Sequence, residues 1–436
     1  MRVLFVSANQ EMLPQPVVPI GVLSVASAAR SHGHVVALAD LCFESDPHAY
    51  LTTALATFGP DIVAIGLRNL HGNEYSDDER TLAFYESLVR TVRGASACPV
   101  VLGGSAFSLR PETLVRRLGA DHGIVGEGER AFPWLLGELQ AGRIAPGILR
   151  SASVSAGRWF AVPDARHGSL DELPVAARDL IDPRYFRFNG VDSVQTKRGC
   201  AFACAYCDYP DLEGRLVRTR SPSAVADELA SCAKTPGVTH AFIVDSVFNV
   251  PRSHALEVCR EVIARGAPLP WVCYASPVGL DAVLVGAMRA AGCVGVELGS
   301  DAGTEAGLER LRKPFGLEQI RRARELLSAH DIRDCHTFVL GAMDETVAEA
   351  SETLRFVSEL RPDAAVFIVF REDREQCTPS RARNREALLE LLAREAPKHP
   401  GWSVPELRIR FGAKLTRYLE RRGFRGPAWL ALAGRG

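Results

Sequence analysis

The sequence predicts an α/β protein of more than one domain, and three observations carry this prediction. The chain has 436 residues, of which 47% are hydrophobic and 24% charged. That length exceeds an ordinary domain, and that composition excludes a mostly disordered chain. Short apolar runs alternate with stretches of helical periodicity along most of the chain. A closely spaced group of cysteines opens the second of two such regions.

Composition excludes several classes of partner. Lys and Arg number 51 against 52 Asp and Glu, so the formal net charge is -1, and bulk attraction to nucleic acid or anionic membranes is not expected. The sequence has no apolar run of about 18 residues, the length that spans a bilayer. The first residues predict a strand rather than a signal peptide, since they turn polar by Asn9. We expect a cytoplasmic protein.

The first region, residues 1–145, contains five strand-like runs, each followed by a helical stretch. This arrangement predicts a doubly wound, Rossmann-like parallel sheet that binds its ligand at the carboxyl ends of the strands. The predicted strands are Val3–Ser7, Val35–Asp40, Asp61–Leu67, Val100–Gly103 and His122–Val125. The predicted helices are Ile20–Ser31, Ala49–Phe58, Asp77–Val92, Pro111–Leu118 and Ala131–Gln140.

Glycines follow two of these strands directly. Gly103-Gly104-Ser105 comes after the fourth strand and Gly126-Glu127-Gly128 after the fifth. Glycine lets a backbone approach a ligand closely or adopt positive φ, although it also serves in plain tight turns. Two such loops on neighbouring strand ends indicate a ligand pocket.

Residues 146–185 contain Pro, Gly and Ser at intervals and show no clear periodicity, so they predict a linker.

After the linker, Cys200, Cys204 and Cys207 share one short loop. Thiolates are the preferred ligands of iron–sulfur clusters, whereas a structural zinc site needs a fourth ligand, and no Cys or His stands nearby. Three ligands suit a 4Fe-4S cluster with one open iron. The other eight cysteines are isolated, and an odd total of 11 argues against a disulfide framework.

The cysteine loop, with Tyr206 before its last cysteine, resembles the signature of the radical SAM superfamily. The resemblance implies S-adenosyl-L-methionine (SAM) as a cofactor and a partial (βα)6 TIM-type barrel over residues 186–375. Strands at Val191–Thr196, His240–Val244, Trp271–Ala275, Gly295–Leu298, Cys335–Leu340 and Ala364–Val369 fit this barrel. So do helices at Pro222–Ala233, Ser253–Arg265, Leu280–Ala291, Leu317–Ala329 and Thr346–Leu360.

The same resemblance suggests which residues hold SAM. Glu297, expected at the inner C-terminal end of the fourth strand, matches the acidic residue that reaches the ribose hydroxyls; a buried structural ion pair is the alternative. The remaining implied contacts are Tyr206, Asp245, Ser246, Asn249 and Ser300. Asn249 could instead cap a turn, and Lys313-Pro314 resembles a Lys-Gly position of the cobalamin-dependent branch.

The first region resembles the cobalamin-binding domain fused to many radical SAM enzymes, through Pro19-Ile20-Gly21, Gly33-His34, Asp40 and the two glycine loops. The resemblance implies that Arg68 and Asn69 face the corrin, with Arg68 in a catalytic role. The other implied cobalamin contacts are Pro19, Gly21, Gly103, Gly104, Ser105, Gly126, Glu127 and Gly128.

The chain departs from one family pattern. The Asp-x-His-x-x-Gly sequence that ligates cobalt is absent, because the loop from Asn9 to Pro14 holds no His. His48 and His71 are the nearest rivals, and we interpret His48 as a surface loop residue. We therefore expect base-off cobalamin without a histidine ligand. Arg68 cannot ligate cobalt, since its guanidinium stays protonated; alternatively it pairs with Asp40 or Glu74.

Residues 376–436 predict a small helical region, with helices at Ser380–Ala396 and Val404–Arg422. We expect Phe424, Trp429 and Leu430 to cover the mouth of the active site.

Together these features predict a cobalamin-dependent radical SAM enzyme, most simply a methyltransferase acting on a carbon of a small or peptide-derived metabolite. In the family's usual scheme a 5′-deoxyadenosyl radical prepares that carbon, but members with a similar Arg-Asn loop methylate without it. An external flavodoxin- or ferredoxin-type donor would supply electrons. Ring contraction, cyclisation or epimerisation, an N-terminal domain that binds no cobalamin, and a non-enzymatic cluster sensor are the alternatives.

Overall fold

The computed structural model describes residues 1–70, 78–143, 147–151, 159–162, 169–371 and 378–433. Within these ranges the chain forms two parallel α/β units followed by a mainly helical C-terminal region. The predicted fold class is confirmed. No helix in the described ranges is both long and apolar enough to cross a membrane.

The N-terminal sheet has seven parallel strands in the order β2-β1-β3-β4-β5-β6-β7. The strands are β1 Arg2–Ser7, β2 Val35–Asp40, β3 Ile62–Gly66, β4 Val100–Gly103, β5 His122–Val125, β6 Gly147–Ser151 and β7 Trp159–Val162. The helices are α1 Ile20–Ser31, α2 Pro47–Phe58, α3 Asp78–Ala95, α4 Ser105–Leu109, α5 Pro111–Leu118 and α6 Gly128–Gln140.

Local sequence explains where these helices begin and end. At α2, the Asp46 side chain accepts a hydrogen bond from the Ala49 N–H, Pro47 occupies the first turn, and Gly59 ends the helix with φ 57°. Because β1 pairs with both β2 and β3, the strand order reverses at β1, and a crevice opens at the carboxyl ends of the strands.

The predicted linker starts too early. β6 and β7 lie within residues 146–185 and extend the sheet past residue 145, the predicted end of the first domain. Both strands are short, of five and four residues. Segments of this length carry too few positions for a period-two pattern to stand out between Gly, Pro and Ser.

The second sheet is also parallel, in the order β16-β15-β14-β13-β12-β11-β8, with a separate two-stranded ribbon of β9 and β10. The ribbon strands are β9 Lys197–Arg198 and β10 Arg218–Thr219. The strands of the sheet are β8 Val191–Val194, β11 His240–Ile243, β12 Trp271–Ala275, β13 Cys293–Asp301, β14 Arg333–Leu340, β15 Ala364–Val369 and β16 Trp402–Ser403. The helices, counting one before β8, are α7 Arg184–Phe188, α8 Tyr209–Glu213, α9 Pro222–Cys232, α10 Arg252–Ala264, α11 Ala282–Ala290, α12 Glu305–Arg310, α13 Leu317–Ala329 and α14 Val347–Leu360.

The C-terminal region differs from the prediction in two ways. It contributes β16, a seventh strand, and its helices are α15 Pro379–Glu395 and a short α16 Ala413–Arg421. The predicted helix from Val404 is wrong over its first half, because Arg408 and Arg410 adopt positive φ and Gly412 has φ 100°.

The end of the chain closes the opposite end of the barrel from the one predicted. Trp429 and Leu430 pack with Val191 and Val294, which stand at the starts of β8 and β13. The N–H of Gly426 donates to the carbonyl of Asn189, just before β8. The expectation that Trp429 and Leu430 cover the active-site mouth, at the carboxyl ends of the strands, is therefore wrong.

Candidate functional site

A cavity of about 450 Å³ lies at the carboxyl edge of the N-terminal sheet and extends to the barrel. Nine of the ten residues predicted to hold cobalamin line it, namely Pro19, Gly21, Arg68, Gly103, Gly104, Ser105, Gly126, Glu127 and Gly128. Asn69 is not among the lining residues, and its carbonyl accepts a hydrogen bond from the Tyr85 hydroxyl at 2.7 Å. On the barrel side, Arg198 and Tyr209 line the cavity and flank the cysteine loop.

The glycines keep this cavity open. At Gly104, with φ 97°, a Cβ would lie 2.4 Å from the carbonyl oxygen of Leu67, so the two loops could not approach. The Ser105 hydroxyl then donates to the Arg68 carbonyl at 2.7 Å. A Cβ at Gly21 would meet no atom within 4 Å. The open space beside Gly21 in the cavity suits a large group such as a corrin.

Arg68 is exposed in this cavity and forms no ion pair with any described carboxylate. Asp40, its proposed alternative partner, instead accepts from the Tyr185 hydroxyl at 3.0 Å and the Cys42 N–H at 3.1 Å. Burial raises the pKa of Asp40 to about 6. Glu74, the other alternative, lies outside the described residues.

No described histidine lines the cavity. His48 lies in α2 rather than in a surface loop, with Nδ1 2.9 Å from the Thr91 hydroxyl and Nε2 3.2 Å from the Ser87 hydroxyl. Both of its ring nitrogens are therefore engaged by α3. His71 lies outside the described residues.

Glu127 joins the glycine loop to the barrel. Its carboxylate accepts hydrogen bonds from Arg218 and, at 3.2 Å, from Arg198, while Glu129 accepts from Arg198 at 2.5 Å. All four side chains are at most 12% exposed. Glu127 was predicted to contact cobalamin, and although it lines the cavity, its carboxylate is engaged in this ion-pair network with the barrel. The partners stand 71 and 91 positions apart, so no local pattern signals them.

The three cysteines lie half-buried on the loop between β9 and α8. The Cys200 N–H donates to the Gly214 carbonyl at 3.0 Å, which closes the base of the loop. Gly199 has φ 91°, and a Cβ there would lie 2.2 Å from the carbonyl oxygen of Leu216. Burial raises the pKa of the Cys207 thiol, and the thiols of Cys200 and Cys204 raise it further.

The donor set suits a cluster better than a single metal ion. Across the described ranges, no three His, Cys, Asp or Glu side chains converge as one metal ion requires. A four-iron cluster places each thiolate on a different iron, so its ligands stand further apart than in a zinc site.

The residues that follow β11 brace the cysteine loop. Buried Asp245 accepts from the Thr196 N–H at 2.7 Å, the Thr196 hydroxyl at 2.5 Å and the Lys197 N–H at 3.2 Å. The Ser246 hydroxyl donates to the Gly199 carbonyl at 3.2 Å. These contacts hold the strand that leads into the loop, and they favour a structural role for Asp245.

Asn249 is also fully buried. Its carboxamide donates to the carbonyls of Ser276 and Val278 at 2.9 and 2.6 Å and accepts from the Ser276 N–H at 2.9 Å. Asn249 therefore links the loop after β11 to the loop after β12. This role resembles the alternative given above, in which Asn249 caps a turn.

Comparison with known proteins assigns both halves of the chain. Residues 11–136 match the B12 binding domain family, and residues 194–357 match the radical SAM superfamily. The chain therefore combines a B12 binding domain with a radical SAM domain.

The relatives that the chain matches are distant in sequence. An uncharacterized methyltransferase of Pyrococcus horikoshii is 25% identical over 358 residues, covering 80% of this chain and 75% of that protein. Tryptophan 2-C-methyltransferase of Streptomyces laurentii is 27% identical over 354 residues, covering 67% of this chain and 59% of that protein. The structure of the radical SAM methyltransferase TsrM from Kitasatospora setae is 20% identical and has a TM-score of 0.82, covering 99% of this chain and 98% of that one.

In this radical SAM barrel, Glu297 faces the interior. Val296 and Leu298 pack into the core under the surrounding helices, so Glu297 between them points to the other face, towards Trp429. Burial raises the pKa of Glu297 to about 7. The predicted position at the end of the strand is wrong, because β13 runs on to Asp301.

Ser300 lies on the opposite face of β13. It is fully buried, and its hydroxyl lies 2.7 Å from Nδ1 of His336, whose Nε2 lies 3.1 Å from Asp334. This placement favours a structural role for Ser300 rather than contact with SAM.

Sequence reasoning missed Asp301, which occupies the inner end of β13. The Tyr206 hydroxyl donates to Asp301 Oδ2 at 2.7 Å, and Lys313 forms an ion pair with the same carboxylate. Burial alone would lower the pKa of Lys313, but Asp301 and Cys204 raise it. The charged pair therefore stands directly beside the cysteine loop.

Proposed function

We propose that this chain uses cobalamin, a 4Fe-4S cluster and SAM to methylate a carbon centre of a small or peptide-derived metabolite. One observation carries the proposal: a single cavity is lined by the glycine loops and Arg68 on one side and by residues flanking the cysteine loop on the other. A cobalamin bound there would lie between the N-terminal domain and the barrel. When bound, the cofactors supply the methyl group and the electrons.

The chain's own residues hold and orient these groups. In this proposal Cys200, Cys204 and Cys207 ligate the cluster, and Tyr206 contacts SAM from within the same loop. Electrons would come from an external donor of the flavodoxin or ferredoxin type.

Cobalamin uptake tests the proposed use of the cavity. Gly21→Leu should weaken cobalamin binding by roughly tenfold or more, about 1.4 kcal/mol, because the new side chain would enter the open cavity. Equilibrium dialysis with hydroxocobalamin measures this effect on the full chain. Gly137→Leu is the matched control, since Gly137 is also a helical glycine with no atom within 4 Å of its Cβ, but it lies outside the cavity lining. Equal affinity of both variants for hydroxocobalamin would contradict the proposal that cobalamin binds in this cavity.

Arg68 is proposed to face the lower side of cobalt. Its permanent positive charge would disfavour a higher cobalt oxidation state and would keep a nitrogen ligand away, helping release of the methyl group. We therefore expect base-off cobalamin with no protein nitrogen on cobalt. Electron paramagnetic resonance of the cobalt(II) form reads this directly. Nitrogen superhyperfine splitting from an axial ligand would refute the expectation and direct attention to His71.

A further inference from the structure

The ammonium group of Lys313 is enclosed between a carboxylate and a thiol. Its side chain is 7% exposed, and Nζ forms an ion pair with Asp301, itself 2% exposed. Nζ also donates to Sγ of Cys204 at 3.4 Å. The rings of Tyr206 and Phe315 stand 5.5 and 5.6 Å from Nζ and exclude water from two further sides.

Backbone hydrogen bonds fix the position of the segment that carries Lys313. The Lys313 N–H donates to the Leu308 carbonyl at 2.9 Å, which fixes the residue just after α12. The Leu311 carbonyl accepts from the Ala205 N–H at 3.0 Å, so the same segment is bonded to the cysteine loop itself. The backbone that carries Lys313 is therefore bonded to the cysteine loop, which keeps Cys204 within reach of the lysine side chain.

We propose that Lys313 is a positioning residue that sets the reduction potential of the cluster through Cys204. The inference rests on the proposed function, since it requires a cluster on the three cysteines. No other described lysine or arginine forms a hydrogen bond or ion pair with the thiols of Cys200, Cys204 or Cys207. Lys313 thus provides the positive charge held directly against a cluster ligand.

Charge accounts for the direction of the effect. Reduction adds one electron to the cluster, and a nearby positive charge stabilises the added negative charge, most strongly where water is excluded. The carboxylate of Asp301, which pairs with the same ammonium, carries a negative charge and opposes this effect. Removing the lysine charge would also leave the negative charge of Asp301 uncompensated. The loss of the positive charge and the unpaired negative charge both make reduction of the cluster harder. Removing the Asp301 charge should make reduction easier.

The test is an anaerobic redox titration of reconstituted full-length protein, followed by the electron paramagnetic resonance of the reduced cluster. At a fixed applied potential, Lys313→Met should lower the ratio of reduced to oxidised cluster tenfold or more, which equals a shift of 59 mV for one electron. Asp301→Asn should raise that ratio, and Lys313→Arg should restore it towards the wild-type value. Lys234→Met is the control, since Lys234 is exposed at the end of α9.

Opposite shifts in Lys313→Met and Asp301→Asn distinguish electrostatic control from simple support of the loop. Shifts in the same direction, or equal loss of iron from both variants, would overturn the inference. Unchanged potentials together with weaker SAM binding would also overturn it, in favour of a direct SAM contact. If Lys313→Met holds no iron, the Asp301→Asn variant alone tests the inference. A higher ratio of reduced to oxidised cluster supports it, and an unchanged or lower ratio overturns it. A wild-type chain that takes up no cluster would instead refute the proposed function.

Discussion

Replacing Cys200, Cys204 and Cys207 together with Ala should abolish iron binding. Among the ten cysteines that the structure describes, these three share one loop, and their side chains are half-buried. Without thiolates the loop offers iron no ligand of the type that clusters require. Iron and sulfide analysis after anaerobic reconstitution, together with visible absorbance, measures the loss.

Cys98→Ala provides the matched control, because Cys98 is also half-buried but lies in the N-terminal domain, outside the cysteine loop. It should keep the full iron content of the wild-type chain. Full iron content in the triple variant would show that the cluster assignment is wrong.

Arg198→Met should lower the free energy of unfolding by about 3–5 kcal/mol, the cost of removing one partner from a buried ion pair. Arg198 bonds both Glu127 and Glu129 and is 12% exposed, so the variant leaves carboxylate charge in a poorly hydrated interface. Chemical unfolding followed by circular dichroism measures the change. Loosened contact between the glycine loop and the barrel should also weaken cobalamin binding.

Arg30→Met is the control for this second prediction. Arg30 also bridges distant segments, through Asp179, but its side chain is 42% exposed and that of Asp179 is 61% exposed. Exposed pairs contribute about 1 kcal/mol or less. Equal, small losses in both variants would contradict the claim that the buried network joins the domains.

Strands and helices with strong local signals were predictable from the sequence. Central strands such as Val100–Gly103 and Trp271–Ala275, and the helix Leu317–Ala329, coincide with their predicted bounds. Trp402–Ser403 was not predictable, because two residues carry no periodicity, and their pairing with β15 depends on tertiary contacts.

The candidate site was predictable where its signal is local. The three cysteines and the two glycine loops each lie within a few residues of one another. Lys313 and Cys204, by contrast, stand 109 positions apart, and only the folded barrel brings them together. The predicted strand ended at Leu298, whereas β13 continues to Asp301, so the burial of Ser300 against His336 was not predictable from the sequence.

Transfer of a labelled methyl group tests the central claim most directly. The reconstituted chain is incubated anaerobically with SAM deuterated at its methyl group, a reductant and a pool of small metabolites that includes tryptophan, with and without cobalamin. Mass spectrometry should find a product that carries the labelled methyl group on carbon, and only when cobalamin is bound. A product rearranged without methyl gain, or a labelled product formed equally well without cobalamin, would contradict the proposed function.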